Sequence, residues 1–335
     1  MRRSIIPGAA RPTAAAPVVA GAVATALALS TCTTACTARA DRPVPEPAPV
    51  TATAAGPAAP PVTDQELTLL AAAEEALVRE CAADRGVHLP RPAAAPGPTP
   101  DARTFPFVVD SPDWAAEHGY GSDLDARRER VRTSDPLRTY LESLPTGRRT
   151  AALDVLNGSP TDPALRATLP AGTSIGRSAT SCTSRAQDAL YGDAGEWFQV
   201  SAATANLEPL WTGQVLADRR WTEAVGPWSD CMTRHGHDVA TPQDARQAAY
   251  GTPDEAATAS DEAACAARTG LAATVADLAV AHESRACHEF RADVDRRREL
   301  ERAALDRARE ITAELTPEQI AAGARTRGAP PCEES

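Results

Sequence analysis

The sequence predicts an all-α, disulfide-stapled helical bundle with a long charged C-terminal helix, preceded by a signal segment and a Pro/Ala-rich tether. Three observations predict it. Apolar residues recur at helical spacing, with no sustained β-branched alternation anywhere in the chain. Capping signals punctuate that pattern at both ends of the segments. An even number of cysteines remains once the N-terminal segment is set aside, and two of them sit in a repeated Cys-x4-Gly pattern, at Cys81–Gly86 and Cys231–Gly236.

Composition bounds the rest. Of 335 residues, 43% are apolar but only 4% aromatic. Much of the apolar count is alanine, which buries little area, so the core is thin and suited to cross-linking. All basic residues are arginine, and the net charge is −11. Residues 1–40 hold four arginines and no acid, so the remaining body is more acidic than the whole chain. That excludes a general nucleic-acid-binding surface, which needs a basic field. The short basic runs at Arg127, Arg128 and Arg130 and at Arg296–Arg298 are balanced by acids and read as solvated helix faces.

The chain divides into four stretches: an export segment 1–40, a tether 41–62, a first helical half 63–192 and a second helical half 193–335. The export segment opens with Arg2 and Arg3 and continues with an uncharged apolar run from about Ala14 to Leu29. This is a basic region followed by a hydrophobic one, shorter than the ~20 residues of a membrane span. Leu29–Cys32 resembles a lipobox, with Cys32 as the lipidated residue; Cys36 is the alternative, and Ala38-Arg39-Ala40 fits ordinary signal cleavage. Asp41–Val62 lacks periodicity and reads as a stiff polyproline-type spacer, which suits a body held off a membrane by a lipid anchor.

Thr63-Asp64-Gln65-Glu66 is a capping box, opening a helix with Leu67, Leu70, Ala73, Leu77 and Cys81 on one stripe and Gly86 just past its end. A Pro-rich stretch with an apolar patch at Phe105–Val109 follows. Short helices are expected from Asp135-Pro136, from Thr146 to Leu156 with Gly158 as stop, and around Cys182 up to Gly192. Residues 159–177 read as loop. Helical segments broken near Pro209 and Pro227 carry Trp197, Trp211, Trp221 and Trp228. Thr241-Pro242 and Thr252-Pro253 are start signals. From Asp261 a helical pattern runs to about Leu315, with Arg and acids on its outer faces, and Thr316-Pro317 opens a last short helix.

Six cysteines (Cys81, Cys182, Cys231, Cys265, Cys287 and Cys332) permit fifteen pairings, and spacing alone does not choose among them. The repeat suggests the economical one. Each Cys-x4-Gly helix is followed by a helix with a Cys near its start, giving Cys81–Cys182 and Cys231–Cys265 and leaving Cys287–Cys332. The pattern of Trp228, Cys231-Met232, Gly236, Pro242, Glu262 to Cys265 and Thr269-Gly270-Leu271 resembles uncharacterised secreted proteins and lipoproteins of actinobacterial type. The resemblance covers most of residues 64–315. Cys287 and Cys332 depart from it. It implies location and fold type, and no activity.

Motifs for chemistry are weak. Gly172-Thr173-Ser174-Ile175-Gly176 fits G-x-S-x-G, but the preceding residues do not read as the buried strand of a nucleophile elbow. His282-Glu283 and His288-Glu289 lack the second histidine of a zinc-protease motif, since Ala286 and Ala292 stand there. Cys287-His288 has no second pair at zinc spacing. His235 and His237 flank Gly236 at an expected surface turn and read as solvated. Trp211, Trp221 and Trp228 offer a groove for a ligand or partner, or else supply core bulk. The sequence therefore points to no catalytic residue, no metal and no cofactor. Its reading is an exported, lipid-anchored envelope protein with a binding or scaffolding role toward an envelope protein or ligand. An extracellular hydrolase is the alternative.

Overall fold

The computed structural model describes residues 60–91, 103–323 and Cys332. The export segment, with Cys32 and Cys36, and the tether up to residue 59 lie outside the described residues. The elements, in order, are α1 (Asp64–Asp84), α2 (Pro112–His118), α3 (Ser122–Thr133), α4 (Pro136–Ser143), α5 (Thr146–Asn157), β1 (Ala164–Thr168), β2 (Ser174–Ser178), α6 (Cys182–Tyr191), α7 (Ala194–Ala205), α8 (Leu207–Ala217), α9 (Arg219–Arg234), α10 (Pro242–Ala249), α11 (Glu255–Thr269), α12 (Leu271–Glu289), α13 (Arg291–Ile311) and α14 (Pro317–Gly323). The fold is helical and disulfide-stapled. Among the described residues no single helix is long and apolar enough to cross a membrane.

The capping chemistry sets the starts. Thr63 N–H donates to Glu66 Oε2 at 2.8 Å while Glu66 N–H donates to Thr63 Oγ1, closing the box on α1. Asp135, Ser181, Asp193, Asp218 and Thr241 cap α4, α6, α7, α9 and α10 with their side chains. The body begins before the predicted tether ends. Val62 is buried, and Arg302 on α13 donates to the carbonyls of Pro60 and Pro61.

Two main cores form, and they do not divide at residue 192. One joins α1, α6, α7 and α13 through Leu70, Leu190, Trp197 and Leu305, with Tyr191 stacked on Trp197 at 3.7 Å. The other joins Phe107–Val109 and α2 to α8–α12 through Trp228, Met232, Leu271 and Leu278. Thus α13, late in the chain, packs on α1, while Phe107–Leu124 packs on the later helices. The two sequence halves are interleaved in space.

Four expectations change. Residues 164–178 form an antiparallel hairpin, pairing Ala164 with Ser178 and Thr168 with Ser174. Leu165, Ala167 and Ile175 alternate along it and pack with Phe198 and Ala202 of α7. Pro227 lies inside α9 without ending it, because Trp228, Cys231 and Met232 are locked into the core just beyond. The pattern from Asp261 to Leu315 is three helices, not one. Gly270, at φ +81°, ends α11, and α12 leaves at 80°. A second break at Phe290 starts α13, the charged C-terminal helix. Arg297, within one of the runs read as solvated, is buried there. It pairs with Glu301 at 2.9 Å and donates to Thr204 Oγ1.

Candidate functional site

The three sulfur pairs are Cys81–Cys182, Cys231–Cys265 and Cys287–Cys332, with Cα separations of 5.6, 5.7 and 5.5 Å. All lie in the ordinary range for a disulfide. Three such bonds suit an oxidising, extracytoplasmic compartment. The last one removes Cys287-His288 from consideration as a metal corner.

Trp211, Trp221 and Trp228 supply core rather than line a groove. Trp228 is wholly buried and Trp221 nearly so. Phe107 packs against Trp211 at 5.9 Å and against Trp221 at 6.2 Å. Seven residues apart on α9, Trp221 and Trp228 share the face turned to the second core. Ser174 is exposed at the start of β2 and is followed by a strand, so the strand–turn–helix elbow of a serine nucleophile is absent. The ring nitrogens of His118, His235, His237 and His282 engage Asp123, Asp261, Asp261 and Asp218 rather than this serine.

One opening among the described residues lies beside α2. A cleft of about 190 Å³ has Phe105, Trp114 and Tyr120 in its walls and Arg103, Arg128 and Arg246 among its lining, with one acid, Asp125. Phe105 and Trp114 pack at 4.7 Å between centroids. Arg246 reaches from α10 to donate to the Phe105 carbonyl at 2.6 Å, and its guanidinium stands 5.6 Å from the Tyr120 ring centroid. Its Nε–H is buried and makes no hydrogen bond among the described residues. Asp125 is engaged twice, by Arg128 at 2.8 Å and by the Tyr250 hydroxyl at 2.5 Å. The latter bond is the main reason the Tyr250 phenol is pushed up to about 12.

Two buried carboxylates, seven residues apart on α11, hold this wall in place. Glu262 is fully buried and accepts from Val109 N–H at 2.8 Å and from the Tyr120 hydroxyl at 2.7 Å. Burial pushes its carboxyl up to about 7, opposed by those two bonds and by Arg246. Burial, with the neighbouring Glu262, raises the Tyr120 phenol as well. Glu255 accepts from Tyr120 N–H at 2.8 Å, Ser122 N–H at 3.1 Å, Gly251 N–H at 2.8 Å and the Ser122 hydroxyl. The two acids thereby satisfy backbone donors that no helix or sheet pairs. Gly119 is required here: it has φ +61°, and a Cβ would meet Glu255 Cγ at 2.6 Å.

The sequence reading missed Phe105, Tyr120, Arg246 and the two glutamates as a unit. One signal was available. Glu255 and Glu262 fall on the same stripe as Ala259, Ala263 and Ala266, the buried face of α11. Acids in register with an apolar stripe mark buried acceptors. No family model, characterised protein or solved structure matches this chain. The resemblance to secreted actinobacterial-type chains stays an expectation resting on its motifs alone.

Proposed function

We propose that the chain is an exported, lipid-anchored envelope protein that acts by binding rather than catalysis, and that its cleft beside α2 takes a small anionic group. The observation that carries this reading is the cleft lining. Three arginines gather with three aromatic rings and a single acid, Asp125, in a protein whose net charge is −11. A carboxylate or phosphate in the cleft meets guanidinium groups that outnumber its one acid, and the rings shield it from water. The three disulfides support the location, and Cys32, or Cys36, is the anchor.

Tryptophan fluorescence, with Trp114 in the cleft wall as reporter, tests this in titrations with inorganic phosphate and with citrate. We expect saturable, salt-sensitive binding of at least one anion. Arg128→Ala should weaken it about tenfold, or ~1.4 kcal/mol. Ser174→Ala should leave it unchanged. Absence of saturable binding to either anion contradicts the reading. Labelling by a serine-directed probe that is lost on Ser174→Ala would make the protein a hydrolase instead.

A further inference from the structure

The end of α9 carries a second cluster, independent of the cleft. Arg268, in the last turn of α11, points one guanidinium nitrogen at three acceptors. Its Nη2 lies 2.9 Å from Cys231 Sγ, 3.4 Å from Cys265 Sγ and 2.8 Å from His235 Nε2. An arginine only donates, so His235 Nε2 presents its lone pair here and the ring proton sits on Nδ1. That Nδ1 donates to Asp261 Oδ1 at 2.9 Å, while the other oxygen of Asp261 meets His237 Nε2 at 2.9 Å.

The arrangement is that of a metal ligand set with a cation already in its centre. A carboxylate behind an imidazole fixes the tautomer and turns the far nitrogen inward, as carboxylates do behind metal-bound histidines. Ligand atoms of Cys231, Cys265 and His235 lie within 4.8 Å of one another. A tetrahedral zinc site with bonds of ~2.0–2.3 Å holds its ligand atoms about 3.3–3.8 Å apart, so small side-chain movements close the difference. Cys231 and His235 stand at the carbonyl end of α9, where a cation is favoured.

We propose that reduction of the Cys231–Cys265 disulfide turns this cluster into a Cys2His site for a thiophilic divalent cation such as Zn²⁺, with Arg268 as the group the metal displaces. A dithiol reductant supplies the two electrons and two protons. The Cys231–Cys265 bond breaks to two thiols as the reductant closes its own disulfide. The incoming ion then releases both thiol protons to solvent and binds two thiolates and His235 Nε2, leaving the fourth position to water. Arg268 is exposed and free to swing out, and until then its charge stabilises the Cys231 thiolate as it leaves.

The test uses the full chain, treated with a dithiol under native conditions, freed of reductant without air, and titrated with Co²⁺. Peptide mapping follows the disulfides, and circular dichroism follows helicity. The expected result is one Co²⁺ per chain with a thiolate-to-cobalt charge-transfer band, in a protein whose helicity is retained. His235→Ala keeps both thiols and should weaken binding at least about tenfold, and Asp261→Ala by about 10–100-fold. Arg268→Ala should strengthen it. Cys231→Ser/Cys265→Ser should abolish the band while leaving the other cysteines available. The proposal fails if that double variant binds Co²⁺ equally or if His235→Ala binds as the parent does. It fails too if the Cys231–Cys265 bond survives dithiol, or if helicity is lost when it opens.

Discussion

The chain builds the same stapled helix end twice, at α1 and at α9, and surrounds the two differently. At the first, Val87 N–H reaches Ala82 O at 2.8 Å and Gly86 N–H reaches Ala83 O at 2.9 Å. At the second, His237 N–H reaches Met232 O and Gly236 N–H reaches Thr233 O, each at 3.0 Å. Both are Schellman caps, with a glycine at positive φ and a disulfide leaving the helix's last turns. After the first cap comes Val87, which packs beside buried Ala82 and Cys182. After the second comes His237, which together with His235 grips Asp261 beside Arg268. The backbone device is the same. Charged side chains stand near both, with Glu80, Asp84, Arg85 and Arg185 beside Cys81, but at the second a guanidinium reaches the sulfurs themselves, Arg268 Nη2 lying 2.9 Å from Cys231 Sγ. A cap and a staple therefore make a stable joint, and the side chains placed around the sulfurs decide whether it can do more.

The largest expected effect separates the two staples by loop length. The first closes 101 residues and the second 34. Chain entropy then assigns about 4.7 kcal/mol to the first and about 3.8 kcal/mol to the second. Urea unfolding of Cys81→Ser/Cys182→Ser should thus show the greater loss. A greater loss for Cys231→Ser/Cys265→Ser would mean that the charged surroundings, and not loop closure, dominate.

Next comes Glu262, one turn before Cys265. Glu262→Ala strands Val109 N–H and the Tyr120 hydroxyl in the core and should cost about 3 kcal/mol. Glu262→Gln keeps an acceptor and should cost less. The carboxyl is raised from its ordinary 4.5 to about 7, so between those values the folded chain holds the proton more tightly than the unfolded one. This contribution is complete below pH 4.5 and disappears as pH rises through about 7. It amounts to at most about 3 kcal/mol. Stability against pH, measured for the parent and for Glu262→Gln, should differ by that slope.

The smallest effect tests the likeness itself. Neither Gly86 nor Gly236 has an atom within 4 Å of where a Cβ would stand, so only backbone strain opposes substitution. Gly86→Ala and Gly236→Ala should each cost about 1–2 kcal/mol in thermal unfolding. Clearly unequal costs would break the comparison.

Local features were legible because local chemistry decides them. Thr63 with Glu66, Asp135 with Pro136 and the two glycine caps are set by residues a few positions apart. Two of the three cysteine pairs follow from repeating one such unit, and Cys287 with Cys332 is what remains. What escaped depends on distance or on context. Residues 164–178 place only Leu165, Ala167 and Ile175 on their inner face, where Arg177 stands opposite Leu165 and breaks the pattern, and they become strands because Phe198 and Ala202 lie over them. His235 and His237 look solvated until Asp261, 24 residues beyond His237, is folded beneath them. Glu262 looks like one more charge on a helix until Val109 and Tyr120, more than a hundred residues earlier, reach it. The interleaving of the two cores rests on α13 returning to α1, which no short-range pattern encodes.

Three staples suit a body carried outside the cytoplasm. Intact mass and a non-reducing peptide map of the protein recovered from its own cells test it most directly. The expected result is a processed N-terminus with an acylated Cys32, or Cys36, and linked peptides joining Cys81 to Cys182, Cys231 to Cys265 and Cys287 to Cys332. A retained Met1 with thiols that react before any reduction would contradict it.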